Sequence, residues 1–201
     1  MIDTVVFDIG NVLVAWDPRI PFAKIFDDEK TIDWFLTEVC SHDWNLQQDL
    51  GRGWAEAEAE AIARHPDYAE QIRLYRRRWG EMVPGDLAVN VGIKERLEKA
   101  GVPVYAITNF ALDTFDEARA RFPYLYSFRD TVISAVERVA KPDARIYRTL
   151  LDRNGLRAEQ CVFIDDSAAN AAGARAVGMA AIHYTPDVDL EAELKALGFK
   201  F

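Results

Sequence analysis

TVVFDIGNVLV, residues 4–14, carries an apolar run into a single acid, Asp8, and then turns through Ile9, Gly10 and Asn11. A short apolar run that ends in a turn suits a strand buried on both faces. A carboxylate delivered to the tip of such a strand is a candidate nucleophile, and a nucleophile needs other groups to converge on it. The fold follows from what surrounds this stretch, and the chemistry from what the later strands bring to the same edge.

Four further strand-like runs follow: VPVYAIT at 102–108, DTVISA at 130–135, CVFIDD at 161–166 and MAAIHY at 179–184. Helical patterns separate them. VGIKERLEKAG places Ile93, Leu97 and Ala100 on one face and stops at Gly101, and ARIYRTLLDRNG groups Ile146, Tyr147, Leu150 and Leu151 before Gly155. Alternation of this kind predicts an α/β fold, a Rossmann-like parallel sheet flanked by helices. Right-handed crossovers then gather the strand C-termini along one edge, where such sheets bind ligands.

Residues 15–88 break the alternation, with helical patterns and no convincing strand. TIDWFLTEVC sets Ile32, Phe35, Leu36, Val39 and Cys40 on one stripe, and DYAEQIRLYRRRWGEM does the same with Tyr68, Ile72, Tyr75 and Trp79. We therefore expect a catalytic core of residues 1–14 plus 89–201, with 15–88 forming a small all-helical cap above Asp8. WAEAEAEAIA at 54–63 reads as a strong surface helix. The basic run RLYRRRW reads as the solvated face of its helix, and the cap aromatics mostly as packing.

Composition excludes several classes. A chain of 201 residues, half of them hydrophobic, can bury one sizeable core. A net charge of −9 argues against nucleic acid and anionic membrane as partners. No stretch approaches the about 18–20 apolar residues of a membrane span, and MIDTVVFDIG carries an acid where a signal peptide carries positive charge. Cys40 and Cys161 lack metal-ligand spacing and read as small buried residues. The expectation is a cytoplasmic protein, monomer or homodimer.

Three strand ends carry polar groups that packing does not explain. The second ends at Thr108 and Asn109; the fourth ends at Asp165 and Asp166, followed by Ser167 and Asn170. Adjacent acids near a third carboxylate ask for a cation, and hard oxygen ligands favour magnesium or calcium, with magnesium the natural choice. A second reading makes Asp166 or Ser167 a helix N-cap, and both can hold together. In ERVAKPDARIY, Lys141 precedes a proline that biases it toward an extended conformation. It can reach inward as a compact charge or stay solvated. His42, His65 and His183 have no zinc spacing.

FDIGNVL, Thr108 in AITN, Lys141 in AKPDARIY and IDDSAANAAGARAVGM, in that order, resemble the four motifs of the haloacid dehalogenase superfamily of hydrolases. The resemblance covers nearly the whole chain and is nearest to the small sugar-phosphate phosphatases with a helical cap after the first motif. It implies a phosphomonoester hydrolase for small phosphorylated metabolites, in which Asp8 attacks phosphorus and forms an aspartyl-phosphate. Magnesium would be held by Asp8, the Gly10 carbonyl and Asp166, with Asp165 acting through water or as an additional ligand. Lys141 would neutralise charge beside Asp8. Thr108 and backbone N–H groups near Ile9 and Gly10 would bind the phosphoryl oxygens, and Asn109 would orient substrate or phosphate.

The chain departs from that pattern at one place. Most phosphatases of the superfamily carry a second aspartate two residues after the nucleophile, as acid and base; here the residue is Gly10. A solvent relay, the substrate, or an early-cap acid such as Asp17 would have to replace it. A metal-independent 2-haloacid dehalogenase is the alternative, with Arg19 clamping halide or carboxylate, although Asp165 and Asp166 would repel a haloacid and position 169 is alanine rather than aromatic. A non-catalytic phosphate-binding module is the third reading.

Overall fold

The computed structural model describes residues 1–201. Five strands, β1 (Thr4–Phe7), β2 (Val104–Thr108), β3 (Thr131–Ile133), β4 (Cys161–Asp165) and β5 (Ala180–His183), form one sheet. All four pairings are parallel, in the order β3-β2-β1-β4-β5. Successive side chains alternate between faces: Val5 and Phe7 enter one apolar cluster, Val6 the other. Burial on both faces is why these runs read as continuous apolar strings rather than alternating ones.

Each strand is shorter than its apolar run. β1 stops at Phe7, so Asp8 stands just beyond it, although its N–H still donates to the Ile164 carbonyl at 2.8 Å. β2 begins only at Val104, where Pro103 contributes its carbonyl to Val5 N–H. β3 ends at Ile133 because Ser134 opens a short helix and turns its hydroxyl to other work.

Eleven helices complete the chain. Within residues 15–88 lie α1 (Arg19–Phe22), α2 (Glu29–Trp34), α3 (His42–Asp49), α4 (Trp54–Arg64) and α5 (Ala69–Arg77), and α2 runs on into a widened turn over Phe35–Val39. The remaining six are α6 (Ala88–Lys99), α7 (Leu112–Arg121), α8 (Ser134–Glu137), α9 (Ala144–Asn154), α10 (Ala168–Ala176) and α11 (Leu190–Ala196). None is long and apolar enough to cross a membrane. α6 ends at Lys99, so Ala100 falls outside the apolar stripe and is exposed, while Ile93 and Leu97 are buried as expected. In α4 the alanines at one helical spacing, Ala57 and Ala61, are fully buried, so WAEAEAEAIA is exposed on one face only.

Two stems join residues 15–88 to the sheet. Ala15 N–H donates to Gly85 O at 2.9 Å, Asp17 N–H to Met82 O at 2.7 Å, and Leu87 N–H to Leu13 O at 2.8 Å. Phe22, Phe35 and Tyr75 belong to the same apolar cluster as Phe7 and Ile164, so these helices share a core with one sheet face. Arg76 of α5 adds an ion pair to Asp113 of α7 at 2.9 Å. The segment therefore lies over the C-terminal edge of the sheet.

On the opposite face α10 packs tightly on the loop after β3. A Cβ placed on Gly173 would lie 2.7 Å from Pro142 O and 3.0 Å from the Tyr147 hydroxyl, too close for either to remain. Tyr147 is itself fixed, its hydroxyl donating to Asn170 O at 2.7 Å. Gly173→Ala is expected to lower unfolding free energy by about 1–3 kcal/mol in urea denaturation. Gly92→Ala, where a Cβ meets nothing within 4 Å, should show no such loss.

Candidate active site

Strand order reverses between β1 and β4, the switch point at which parallel sheets open a crevice. In the β1–β4 register Phe7 faces Ile164, so the next residues on each strand, Asp8 and Asp165, meet at the tip. Two carboxylates brought together by backbone pairing need a counter-charge. Lys141 supplies it from the β3–α9 loop: its Nζ lies 2.7 Å from Asp8 Oδ1 and 2.7 Å from Asp165 Oδ2. All three side chains are buried.

Each partner is held in turn. Asp165 Oδ1 accepts from Ser167 N–H at 2.8 Å and from the Asn170 amide at 3.0 Å. Asp165 thus anchors Lys141, and its oxygens also stand in the carboxylate cluster with Asp8 and Asp166. The Asn109 side chain is committed as well. Its Oδ1 accepts from Lys141 N–H at 2.9 Å and its Nδ2 donates to Lys141 O at 3.1 Å, a two-bond clamp on the lysine backbone rather than a free amide for substrate. Ser167 caps α10, accepting from Asn170 N–H, so the N-cap reading of this segment holds for Ser167.

A cavity of about 430 Å³ opens above this edge. Asp8, Gly10, Asn109, Lys141 and Asp166 line its floor, and Trp16, Trp54, Trp79 and Phe110 supply much of its wall. Thr108 ends β2 almost fully buried and does not itself line the cavity. Arg19 does not reach it: its guanidinium pairs with Glu29 and Asp33 within the helical segment, so the expected substrate contact is absent.

The charge balance leaves room for a cation. Carboxylate oxygens of Asp8, Asp165 and Asp166 lie within 4.8 Å of one another, against one ammonium. Burial raises the pKa of Asp8 well above the usual carboxylate range, Lys141 pulls it down, and Asp165 and Asp166 push it up again. Burial also raises Asp166, with Asp165 adding to the shift and the Asn11 side chain opposing it. Burial would lower Lys141, but Asp8 and Asp165 outweigh it and keep the ammonium charged. The Gly10 carbonyl, at the cavity floor, accepts no hydrogen bond from the protein. Asp8, Asp166 and this carbonyl are hard oxygen donors beside a surplus of negative charge, and they fit magnesium.

Unpaired donors complete the floor. Gly10 N–H and Asn109 N–H have no acceptor within the protein, whereas Ile9 N–H is spent on Asp8 Oδ1 at 2.6 Å. Asn11 holds the turn in a left-handed conformation at φ 52° and accepts from Trp16 N–H at 2.9 Å. Asparagine adopts that region more readily than most residues, which is the one local signal that marks it.

A parallel sheet with a lysine-bridged pair of carboxylates at its switch point, roofed by a helical insert, defines an α/β protein with a charged cavity at its strand tips. The chain belongs to the haloacid dehalogenase-like hydrolase family, whose model matches residues 2–178. It is 28% identical over 200 residues to the sesquiterpene phosphatase astK of Aspergillus oryzae, covering 96% of this chain and 94% of that protein. It is 26% identical over 197 residues to phosphatase MT3486 of Mycobacterium tuberculosis, covering 90% and 86%. Among solved structures, the HAD family enzyme bt-2542 of Bacteroides thetaiotaomicron, in complex with magnesium and inorganic phosphate, has a TM-score of 0.75 at 22% identity, covering 96% of this chain and 99% of that one. Solved dehalogenases share the fold at 16% or 17% identity.

Two outcomes follow from this geometry. Lys141→Met leaves Asp8 and Asp165 buried without their counter-charge, so urea denaturation at pH 7 in the presence of a chelator should register a loss of about 3–5 kcal/mol. Gly10 has the opposite character: a Cβ there meets nothing within 4 Å and its φ lies outside the left-handed region. Gly10→Ala is expected to raise stability by about 0.4–1 kcal/mol, seen as a higher melting temperature.

Proposed function

We propose that this hydrolase is a magnesium-dependent phosphomonoesterase that acts on a small phosphorylated metabolite through an aspartyl-phosphate on Asp8. The observation that carries the proposal is the charge pattern at the cavity floor: a nucleophile facing the cavity, one fixed ammonium beside it, and an acid and a free carbonyl where a divalent cation would sit. Both relatives named above are phosphatases by name, in keeping with this reading.

Asp8 Oδ2 is the oxygen left free to attack, since Oδ1 is bound by Lys141 and by Ile9 N–H. Asp8, Asp166 and the Gly10 carbonyl would hold magnesium, which when bound offsets repulsion between carboxylate and phosphate and draws charge from the phosphoryl oxygens. Lys141 shares that electrostatic task from the other side of Asp8. The Gly10 and Asn109 N–H groups would receive the phosphoryl oxygens, with Thr108 buried beneath them at the end of β2. The clamp from Asn109 sets where the lysine backbone stands, and with it the reach of Nζ.

The substrate part of the cavity is aromatic. Trp16, Trp54, Trp79 and Phe110 offer apolar surface to an organic group of limited size. Such a wall admits a sugar ring stacked on a tryptophan, and equally the hydrocarbon of an isoprenoid phosphate, the class named for the Aspergillus relative.

The dehalogenase alternative is weakened by two features. Arg19 is tied to Glu29 and Asp33, leaving no arginine in the cavity to clamp a haloacid, and Asp166 would face the haloacid carboxylate with like charge. Purified protein assayed with magnesium on sugar phosphates, prenyl phosphates and an aryl phosphate should release inorganic phosphate, lose that activity in EDTA and regain it with magnesium. Asp8→Asn should fall to background on every ester. Chloride release from 2-chloropropionate that persists in EDTA, without phosphate release from any ester, would sink the proposal.

A further inference from the structure

Gly10 leaves this site without the usual acid two residues past the nucleophile, and the cavity contains another. Its lining carboxylates are Asp8, Asp166 and Asp49, and the first two are taken by attack and by the cation. Asp17, the early-cap acid suggested by sequence, is exposed, accepts from Arg19 N–H at 2.8 Å and does not line the cavity. Asp49 is the last residue of α3 and is fastened to the sheet edge. The Ser134 hydroxyl, at the end of β3, donates to Asp49 O and accepts from Phe110 N–H at 2.9 Å. The Asp49 carboxyl accepts from the Asn45 amide at 3.1 Å. The backbone of this cap residue is thus held by the core, with Asp49 and Lys141 lining the same cavity.

We propose that Asp49 is the general acid and base of this hydrolase. The assignment rests on the phosphatase reading above. As Asp8 oxygen bonds to phosphorus and the P–O ester bond breaks, the Asp49 carboxyl gives its proton to the leaving oxygen, which departs as an alcohol. Water then attacks the aspartyl-phosphate, Asp49 takes the water's proton, and inorganic phosphate leaves with the Asp8 carboxylate restored. The proton returns to where it began, so no co-reactant is needed.

Protonation suits the task. Burial pushes the Asp49 carboxyl up to about 7, against the opposing pull of Ala111 N–H and of the Lys141 charge. Other titratable groups around it are Asp8 and Asp166 on the floor, Tyr75 of α5 and His42 of α3. Tyr75 is itself raised, chiefly by burial, and stays neutral; His42 is exposed and lies 3.6 Å from Asp43. A group that gives its proton near pH 7 supports phosphoryl transfer below that pH and loses the ability above it.

Leaving-group chemistry tests the assignment, because p-nitrophenolate departs without a proton and an alkoxide does not. Asp49→Asn should lower kcat/KM for hexyl phosphate about 100-fold or more while changing kcat/KM for p-nitrophenyl phosphate less than about 10-fold. The aryl ester should also show a burst of nitrophenol, since water attack has lost its base. His42→Asn should keep the wild-type ratio of the two esters. Should Asp49→Asn fail to fold, the wild-type pH profile decides: kcat/KM for the alkyl ester should fall as pH rises through about 7 while that for the aryl ester stays flat, and Asp49→Glu should shift that limb. Equal loss on both esters, a collapse of the ratio in His42→Asn instead, or coincident pH profiles overturn the role of Asp49 and leave the phosphatase reading standing. A wild-type protein inert toward both esters overturns that reading and this one together.

Discussion

The Lys141 ammonium between Asp8 and Asp165 is the interaction on which the rest of the site depends. Parallel pairing of β1 with β4 forces two carboxylates to the same tip, and burial makes their ionisation costly without a cation. Lysine satisfies both at 2.7 Å, and the surrounding structure exists to keep it there. Asn109 clamps its backbone from the loop after β2, Ser167 and Asn170 orient Asp165 from the start of α10, and Gly173 lets α10 approach Pro142. Removing any support loosens the one fixed positive charge on the cavity floor.

That charge is insufficient alone, and the shortfall gives the site its chemistry. Three carboxylates around one ammonium leave a surplus of negative charge, which in the proposed reaction a divalent cation would offset. Gly10 contributes through what it leaves exposed, a carbonyl and an N–H without protein partners. It also has room for the side chain it lacks, so packing does not demand the glycine. The helical segment above supplies what the floor does not: the tryptophans Trp16, Trp54 and Trp79 of the wall and a further carboxyl, Asp49. Roof and floor are stapled through Ser134 and Asp49, which makes the roof part of the reaction chamber as well as its cover.

Much of this was legible in the chain. The α/β alternation, the helical insert and the family followed from apolar runs and four ordered motifs, and Lys141, Asp8 and Asp166 meet as that order implied. The departures have physical causes. Arg19 has acids at Glu29 and Asp33 within reach, so local pairing wins over the cavity. The Asn109 amide finds both a donor and an acceptor on Lys141, so its side chain is held against the lysine backbone. Local pattern shows that a residue is polar at a strand tip but not which partner claims it.

Sequence by itself determined the parallel sheet, the identity of the acids and lysine at its edge, and the omission at Gly10, because these depend on periodicity and residue type along short stretches. Tertiary structure alone decided which oxygens stay free, which amide holds the lysine, and which cap acid reaches the cavity. Those outcomes depend on contacts such as Ser134 with Asp49, 85 residues apart, and Asn109 with Lys141, 32 apart. Their geometry comes into being only when the sheet brings its strand tips together and expels the water that would otherwise satisfy each group.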